Sequence, residues 1–149
     1  MVVGVTHVGG DGRTYYFNAP KSIQNKICYG QKVLCNTRFG EQICRIKEIL
    51  NDETVEKLNI KPTKNIVAYQ NKCLLEAINV PDYMKNSIPS VGKVIEKLNN
   101  FYNASDGIVL VDTNGELIDG YITYQIYRMF YKEYINVFIL AKEFKSCCL

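Results

Sequence analysis

GIVLVDTNGELIDGYITYQIYRMF, residues 107–130, is the segment that decides the fold of the second half of the chain. Its apolar run at 108–111 is short and rich in β-branched residues, which predicts a buried strand. The dipeptide Asn114-Gly115 predicts a tight hairpin turn, because both residues readily take positive φ, and residues 116–118 then return as a second strand. The apolar period next changes to about 3.6 residues, which predicts a helix whose apolar face carries Ile122, Ile126, Met129 and Phe130.

The start of that helix is a candidate phosphate site. Asp119 is predicted to cap the helix, and Gly120 leaves its first turn open to close approach. Free backbone N–H groups and the positive end of the helix dipole would meet at this point, and both favour an anion. The sequence therefore predicts a phosphate-binding corner where the hairpin meets the helix.

Composition indicates an ordinary folded protein. The 149 residues are 47% hydrophobic and 22% charged, which is enough to build the core of one domain or of two small ones. The net charge of +3 is too small to indicate nucleic acid by itself. The sequence has no apolar run of the ~20 residues that span a membrane and no signal peptide at its start. We therefore expect a cytoplasmic protein with no membrane partner.

The six cysteines do not have the spacing of a metal site. None forms a C-x-x-C pair, and His7 is the only histidine, so no zinc site is predicted and His7 is assigned no role. We expect small buried thiols along the chain and two exposed thiols at its C-terminus. The six residues are Cys28, Cys35, Cys44, Cys73, Cys147 and Cys148.

Residues 1–50 are predicted to form a small curled β-barrel. Apolar and small residues alternate, and turns are expected at residues 9–12 and at Phe39-Gly40, which gives two hairpins. Four or five short strands cannot bury a core as an open sheet, and closing the sheet solves this problem. Exposed tyrosines can stack on unpaired bases, and the candidates in this part of the chain are Tyr15, Tyr16 and Tyr29.

Residues 51–79 are predicted to be a linker with a short helix capped by Asn51 or Asp52. Its lysines, including Lys61, Lys64 and Lys72, are interpreted as a solvated face rather than as phosphate contacts.

Residues 80–149 are predicted to be a second domain. A helix over 91–102, capped by Ser90, is followed by the hairpin and helix of 107–130 and by a strand at 135–140. This order is typical of helices packed against a small mixed sheet, and the predicted fold class of the whole chain is α+β.

The second half of the chain resembles the ParB/sulfiredoxin-like superfamily, in the branch of short ParB-like nuclease domains. The resemblance covers residues 80–140 and is carried by VPDYMKNSIPSVGKVIEKLNNFY, IVLVDTNGELIDGYITYQIYRMF and INVFI, in that order. It implies a ParB/sulfiredoxin-like α/β domain that binds nucleotide or nucleic-acid phosphates at the helix start, and some members hydrolyse DNA, RNA or nucleotides. The residues implied for the phosphate-binding corner are Asp119, Gly120, Tyr121, Thr123 and Tyr124, and the acids implied on the hairpin are Asp112 and Glu116.

This chain departs from the family pattern in its charge. Many members carry one or two arginines just after the glycine, where this chain has Tyr121, Ile122 and Thr123. No guanidinium group can therefore grip a phosphate there in a bidentate manner. Thr123 can still donate a hydrogen bond, and Lys93 or Arg128 is the expected source of positive charge at the phosphate-binding corner. Nucleotide-dependent DNA partition is disfavoured by the missing arginines and by the absence of a helix-turn-helix region.

The first half of the chain more weakly resembles the small barrel of PSP1-type proteins, through VGVTHVGGDGRTYYFNA and GQKVLCNTRFGEQICRIKEI. A small barrel joined to a short ParB-like domain is similar to accessory proteins of bacterial mobile elements. Some inhibitors of type II CRISPR effectors look like this and act against the guide RNA. The resemblance implies nucleic acid as a partner, with RNA ranked ahead of DNA, and a type II CRISPR effector complex as a second partner.

Two hypotheses from different classes describe the function. In the first, the protein is a nucleic-acid-directed phosphodiesterase with Glu116, beside Asp112, as general base or metal ligand; the metal would be magnesium or manganese, and its ligands are not assigned. In the second, the protein is a non-catalytic module that inhibits by occupying a surface. Glu116 can equally be a solvent-facing turn residue, and Asp112 and Asp119 are of types common in turns and caps. A Glu116→Ala variant should abolish an enzyme's effect and leave a steric inhibitor's effect intact.

Overall fold

The computed structural model describes residues 1–86, 90–102, 108–130 and 133–141. Backbone packing divides the chain into two compact units, of which the first contains Met1–Gln70 and the second contains Asn71–Ile139. The predicted domain limits at residues 50 and 80 stay a prediction. The predicted exposed thiols Cys147 and Cys148 lie outside the described residues.

The fold class is α+β, as predicted, and sheet provides most of the core. The strands are β1 (Val2–His7), β2 (Thr14–Asn18), β3 (Lys32–Thr37), β4 (Gly40–Leu50), β5 (Ile66–Leu74), β6 (Leu110–Val111), β7 (Leu117–Asp119) and β8 (Tyr134–Leu140). The helices are α1 (Asp52–Lys57), α2 (Asp82–Lys85), α3 (Val91–Tyr102) and α4 (Tyr121–Met129). No helix within the described residues has the length and apolar character needed to cross a membrane.

The sheet of the first unit is antiparallel, with strand order β2-β1-β4-β3-β5. Both predicted hairpins form, β1 with β2 and β3 with β4. Alternation along β1 places Val3 and Val5 on one face, and both are fully buried. A bridge joins Asn18, the last residue of β2, to Asn65 just before β5, and Asn18 N donates to Lys64 O at 2.9 Å. The two outer strands of this sheet therefore meet at one end.

The segment between the hairpins and the second half contains a strand as well as a helix. Asn51 caps α1 as predicted, because its Oδ1 accepts a hydrogen bond from Thr54 N at 2.8 Å. Strand β5 continues beyond its apolar run at 66–69 and includes Cys73. Ile66 and Ala68 are buried and pair with β3, so the apolar run is the part of β5 that joins this sheet.

The second unit packs helices against a small mixed sheet, as predicted. Strand β6 lies between β8, to which it is parallel, and β7, to which it is antiparallel. Ser90 caps α3 as predicted, since its Oγ accepts from Lys93 N at 3.3 Å. The core of this unit is formed mainly by buried residues of the sheet and of α4: Val109, Val111, Leu117, Tyr124, Ile135 and Val137.

The predicted apolar face of α4 is only partly correct. Ile126 is buried, but Met129 is 67% exposed and Phe130 is 38% exposed. Tyrosines also face the core: Tyr124 belongs to the core cluster, and Tyr121 and Tyr127 pack against it. The buried face of this helix therefore combines Ile126 with tyrosines, whose large rings bury more apolar area than Ile or Met.

Candidate functional site

The hairpin that leads into α4 turns over three residues. Asp112 N donates to Glu116 O at 2.9 Å, and Gly115 N donates to Asp112 O at 3.1 Å. Gly115 has φ +85°, whereas the only described non-glycine residue with positive φ is Asn59. The prediction of positive φ at Asn114 is therefore wrong, and a single glycine makes this turn.

Asp112, a predicted catalytic acid, holds the turn. Its Oδ1 accepts hydrogen bonds from Asn114 N at 2.8 Å and from Glu116 N at 2.9 Å. Aspartate side chains commonly bond to the backbone in this way in turns. One oxygen of this carboxylate is therefore engaged in structure.

Glu116 is fixed through its backbone, and its side chain is exposed. It forms a bridge with Asn79, with flanking bonds from Asn79 N to Gly115 O at 2.9 Å and from Leu117 N to Asn79 O at 2.8 Å. Among the described residues, none hydrogen-bonds to its carboxylate. The main chain is thus positioned at the hairpin, and the carboxylate is available to solvent.

The prediction that Asp119 caps α4 is wrong. Asp119 pairs with Leu110 as the last residue of β7, and Gly120 is the N-cap, with φ +91° and ψ 29°. Strand pairing keeps Asp119 extended, so the chain turns one residue later, in the left-handed conformation that favours glycine. A Cβ at Gly120 would also meet the Ile108 carbonyl oxygen and would lie 3.0 Å from Val109 Cα. Packing alone therefore requires glycine here.

The predicted phosphate-binding corner already carries a negative charge. The first bond within α4 runs from Tyr124 N to Gly120 O at 2.9 Å, so the N–H groups of residues 121–123 have no acceptor in the helix. Asp119 Oδ1 accepts from Gly120 N at 2.8 Å, next to these groups. The residues of the predicted corner are together, but the Asp119 carboxylate adds a negative charge beside the start of the helix.

The other predicted residues of this corner face the interior or lie elsewhere. Thr123 is buried, and its hydroxyl has no accessible surface and no partner among the described residues. The rings of Tyr121 and Tyr124 stack with centroids 6.2 Å apart, and Tyr124 is buried. A phosphate at the surface would therefore not reach the Thr123 hydroxyl in this conformation.

The two expected sources of positive charge lie on α3 and in the last turn of α4. Lys93 is exposed in the first turn of α3 and makes no ion pair with a described residue. Arg128 is in the last turn of α4, seven residues after Tyr121, which corresponds to about 10 Å along the axis. It lines a groove with Val94 and Met129 instead. In the described parts of the chain, no three His, Cys, Asp or Glu side chains are grouped to hold a metal ion.

A second candidate site is a cleft of about 430 Å³ in the first unit. Three cations from three separate segments line it: Arg13 before β2, Arg38 at the tip of the β3–β4 hairpin, and Lys64 before β5. All three are exposed, none makes an ion pair with a described residue, and no lining residue is acidic. The nearest acid in sequence is Asp11, whose Oδ1 accepts from Arg13 N at 3.0 Å. The cleft is therefore positively charged.

Aromatic rings line the same cleft. Phe39 is 73% exposed, and the Arg38 guanidinium carbon lies 4.7 Å from the centre of its ring. Tyr15 is 37% exposed and meets the His7 ring edge-on, with centroids 5.0 Å apart. Flat apolar rings beside unpaired cations can bind a ligand that has both a ring system and negative charge.

Local sequence explains why these groups meet. On β1, the alternation that buries Val3 and Val5 continues to His7, which is half-buried where the interior reaches solvent. At the β3–β4 tip, Thr37 Oγ1 accepts from Phe39 N at 3.1 Å and donates to Gly40 O at 2.8 Å. These bonds hold the turn, so Phe39 is presented from an ordered position.

A pair of thiols lies beneath this cleft. Cys44 Sγ is 3.6 Å from His7 Nδ1, and a hydrogen bond to Cys44 together with burial raises the pKa of the Cys35 thiol. Cys35 and Cys44 are buried, as predicted, whereas Cys28 is exposed, which corrects the prediction of buried thiols along the chain. Cys28 lies in the irregular connection between β2 and β3 rather than on the inner face of a strand.

No family model and no curated protein matches this chain. It is similar in part to two solved structures of the pNOB8-like ParB N-domain. One is 18% identical, with a TM-score of 0.44, over 53% of this chain and 32% of the other. The second is 14% identical, with a TM-score of 0.45, over 58% of this chain and 32% of the other. The matched part is thus about a third of the length of each solved chain.

Most of the cleft was not found from the sequence. Tyr15 was a candidate for a contact surface, but His7 was assigned no role and Lys64 was interpreted as part of a solvated face. The available signal was local: Arg38 precedes Phe39 at a hairpin tip, where a large apolar ring is not needed for the turn. The position of Lys64 depends on the pairing of Asn18 with residues 64–65, which the sequence does not indicate.

Proposed function

We propose that the protein is a nucleic-acid-binding module that acts through the cleft of its first unit, by occupying its target. The observation that carries this proposal is the lining of that cleft, in which Arg13, Arg38 and Lys64 stand beside the exposed Phe39 ring with no acid among them. Arginine and lysine provide the phosphate contacts that dominate affinity for nucleic acid. Aromatic rings provide stacking to bases without a requirement for sequence.

The contacts at the hairpin favour binding over cleavage. Asp112 uses a carboxylate oxygen to hold its own turn, and Asp119 places a negative charge at the start of α4. A phosphodiesterase needs a positively charged clamp on the phosphate beside its general base. Within the described residues, no cation forms an ion pair with the Glu116 carboxylate.

The finer architecture is also a proposal. The antiparallel order β2-β1-β4-β3-β5, with a bridge between Asn18 and Asn65, supports a small barrel of PSP1 type in which β5 is the fifth strand. The order of β6, β7 and α4 supports a ParB/sulfiredoxin-like second unit, together with the sequence pattern at residues 80–140.

In its most specific form, the proposed role is that of a mobile-element product that inhibits a type II CRISPR effector. It would displace or cover the guide RNA in the cytoplasm of a bacterium. This role depends on the resemblance of the two halves of the sequence, and the cleft adds a surface that can hold RNA.

A gel assay tests the proposal. Labelled structured RNA, single-stranded DNA and duplex DNA are incubated with the protein and magnesium or manganese, with and without a type II effector. The variants are Glu116→Ala and the double change Arg13→Ala with Lys64→Ala, and Lys47→Ala is the matched control because Lys47 is exposed on β4 outside the cleft.

We expect slower migration of intact RNA with the wild type, Glu116→Ala and Lys47→Ala proteins, and a weaker shift with the double variant. The loss should shrink as salt rises, because phosphate contacts are screened. Shortened RNA that disappears with Glu116→Ala would overturn binding in favour of cleavage. Intact and unshifted nucleic acid in every lane would reject both nucleic-acid binding and cleavage. An effector that stays active in the presence of bound protein would remove the CRISPR role alone.

A further inference from the structure

We propose that the cleft of the first unit binds an unpaired nucleotide within a single strand, with its base stacked on Phe39. Phosphates of the same strand, on either side of this nucleotide, would lie on Arg13 and Lys64. This inference rests on the proposed function and adds the class of nucleic acid that the cleft selects and the way it does so.

The exposure of Phe39 points to a stacking role. A phenylalanine that is 73% exposed contributes little to the core, and the turn that carries it is held by Thr37 and by Gly40 at φ +92°. An exposed apolar ring within a concave surface is typical of a binding site. The cleft volume of about 430 Å³ lies within the range of roughly 300–1,000 Å³ for sites that take small ligands or parts of ligands.

The base must be unpaired to reach this ring. In a duplex, each base is covered on both faces by its neighbours, so a protein ring can stack only on a base that has left the helix or was never in one. Arg38 lies over the Phe39 ring at 4.7 Å and leaves the other face for a base. The resulting guanidinium–ring–base stack would combine a cation–π contact with stacking.

The positions of the cations favour a strand over a free nucleotide. Arg13 precedes β2, and Lys64 is hydrogen-bonded to Asn18 at the other end of that strand. Five steps of extended chain from Arg13 to Asn18 separate their Cα atoms by roughly 17 Å. Successive phosphates of a strand lie much closer together than this, so the two cations suit phosphates that are more than one linkage apart, which a strand has and a free nucleotide lacks.

Fluorescence anisotropy at fixed salt tests the inference with four labelled probes of equal length. These are a single-stranded RNA, a single-stranded DNA of the same sequence, the corresponding DNA duplex, and an abasic DNA strand that keeps the phosphates without the bases. The protein variants are Phe39→Ala, Phe39→Leu and Phe39→Tyr. Tyr83→Ala is the matched control, since Tyr83 is 71% exposed and lies outside the cleft.

We expect both single strands to bind more tightly than the duplex or the abasic strand. Phe39→Ala and Phe39→Leu should weaken single-strand binding by roughly 5- to 150-fold, the usual effect of losing one stacked base, and leave duplex binding unchanged. Phe39→Tyr keeps the ring and should retain the affinity, and Tyr83→Ala should have no effect. Phe39 is exposed in the free protein, so these changes leave the fold intact.

The salt dependence of binding is a second measurement, and it would not change if Arg13 and Lys64 had only a structural role. Arg13→Ala or Lys64→Ala should reduce the dependence of log K on log salt by about 0.7 for single strands, whereas Lys47→Ala should not. Tighter binding of RNA than of DNA would identify single-stranded RNA as the preferred ligand. Equal binding would show that the cleft accepts single strands of either kind.

The failures of the two proposals are distinguishable. Equal binding of single strand, duplex and abasic strand, with no effect of Phe39→Ala, would overturn the stacking inference. The protein would then bind nucleic acid through phosphate charge alone. Phe39→Leu that binds as well as Phe39→Tyr would overturn stacking in the same way. Absence of binding to every probe would reject the proposed function and this inference with it.

Discussion

Gly120→Ala is expected to destabilise the second unit far more than a glycine replacement at an equivalent turn. Gly120 has φ +91°, and the structure places the backbone of Ile108 and Val109 against the position of a Cβ. Gly115, in the same unit, has φ +85°, and a Cβ there would lie 3.2 Å from only one atom, Ala77 O. The two substitutions thus share their backbone strain and differ in the space available.

Comparison of Gly120→Ala with Gly115→Ala separates the cost of backbone strain from the cost of steric overlap. An alanine in the left-handed conformation costs about 1–2 kcal/mol of folding free energy. Replacing glycine also reduces the conformational freedom of the unfolded chain, which stabilises the fold by about 0.4–1 kcal/mol. Gly115→Ala should therefore cost about 1 kcal/mol. Gly120→Ala carries the same two contributions. It also forces a methyl group into backbone atoms that cannot rotate away, for which overpacking costs about 1–3 kcal/mol. The expected total is about 2–4 kcal/mol.

Urea denaturation followed by far-ultraviolet circular dichroism measures both variants against the wild type. We expect Gly120→Ala to lower the free energy of unfolding by about 1–3 kcal/mol more than Gly115→Ala does, or to abolish the cooperative transition of this unit. A difference below roughly 0.5 kcal/mol, the spread of ordinary surface substitutions, would refute the packing explanation. Gly120 would then be available for a role in ligand binding.

Two further predictions concern the cap of α1 and the reactivity of a thiol. Asn51→Ala should lower the free energy of unfolding by about 1 kcal/mol, and Asn51→Ser should lower it by less, in the same urea assay; equal losses would contradict the cap seen at Thr54 N. Burial raises the pKa of Cys73, so its alkylation rate, followed by peptide mass spectrometry, should reach half of its maximum above pH ~8.5, the half-maximal pH of ordinary thiols. A plateau near that pH would contradict the raised pKa.

Local signals predicted most of the elements correctly. The helix at 91–102 and its cap Ser90 followed from period and residue type, as did the hairpin turn at Gly40 and the cap of α1. These features depend on interactions between residues within a few positions of each other. For such elements, the sequence carries the full cause of the structure.

The errors arose where distant residues decide the local structure. Asp119 has the chemistry of a cap, but pairing with Leu110 keeps it in β7 and moves the cap to Gly120. Tyr124 of α4 packs into the sheet core, which the period of the aliphatic residues of this helix does not reveal.

The candidate cleft was beyond prediction for the same reason. Arg13, Arg38 and Lys64 belong to three turns or loops whose order in space depends on the whole sheet. A net charge of +3 spread over 149 residues gives no sign that three cations share one surface without an acid. Composition reports the sum of the charges, and binding depends on their arrangement.

A balance of electrostatic terms explains why a phosphate is favoured in the cleft and not at the start of α4. A helix N-terminus attracts an anion by about 0.3–1 kcal/mol at an exposed site. A phosphate about 4 Å from the Asp119 carboxylate would be repelled by about 1 kcal/mol in bulk water and by about 4 kcal/mol under the weaker screening of a protein surface. The repulsion therefore equals or exceeds the attraction unless a cation joins the site. In the cleft, the electrostatic interaction with a phosphate is attractive, because every charged side chain in the lining is positive.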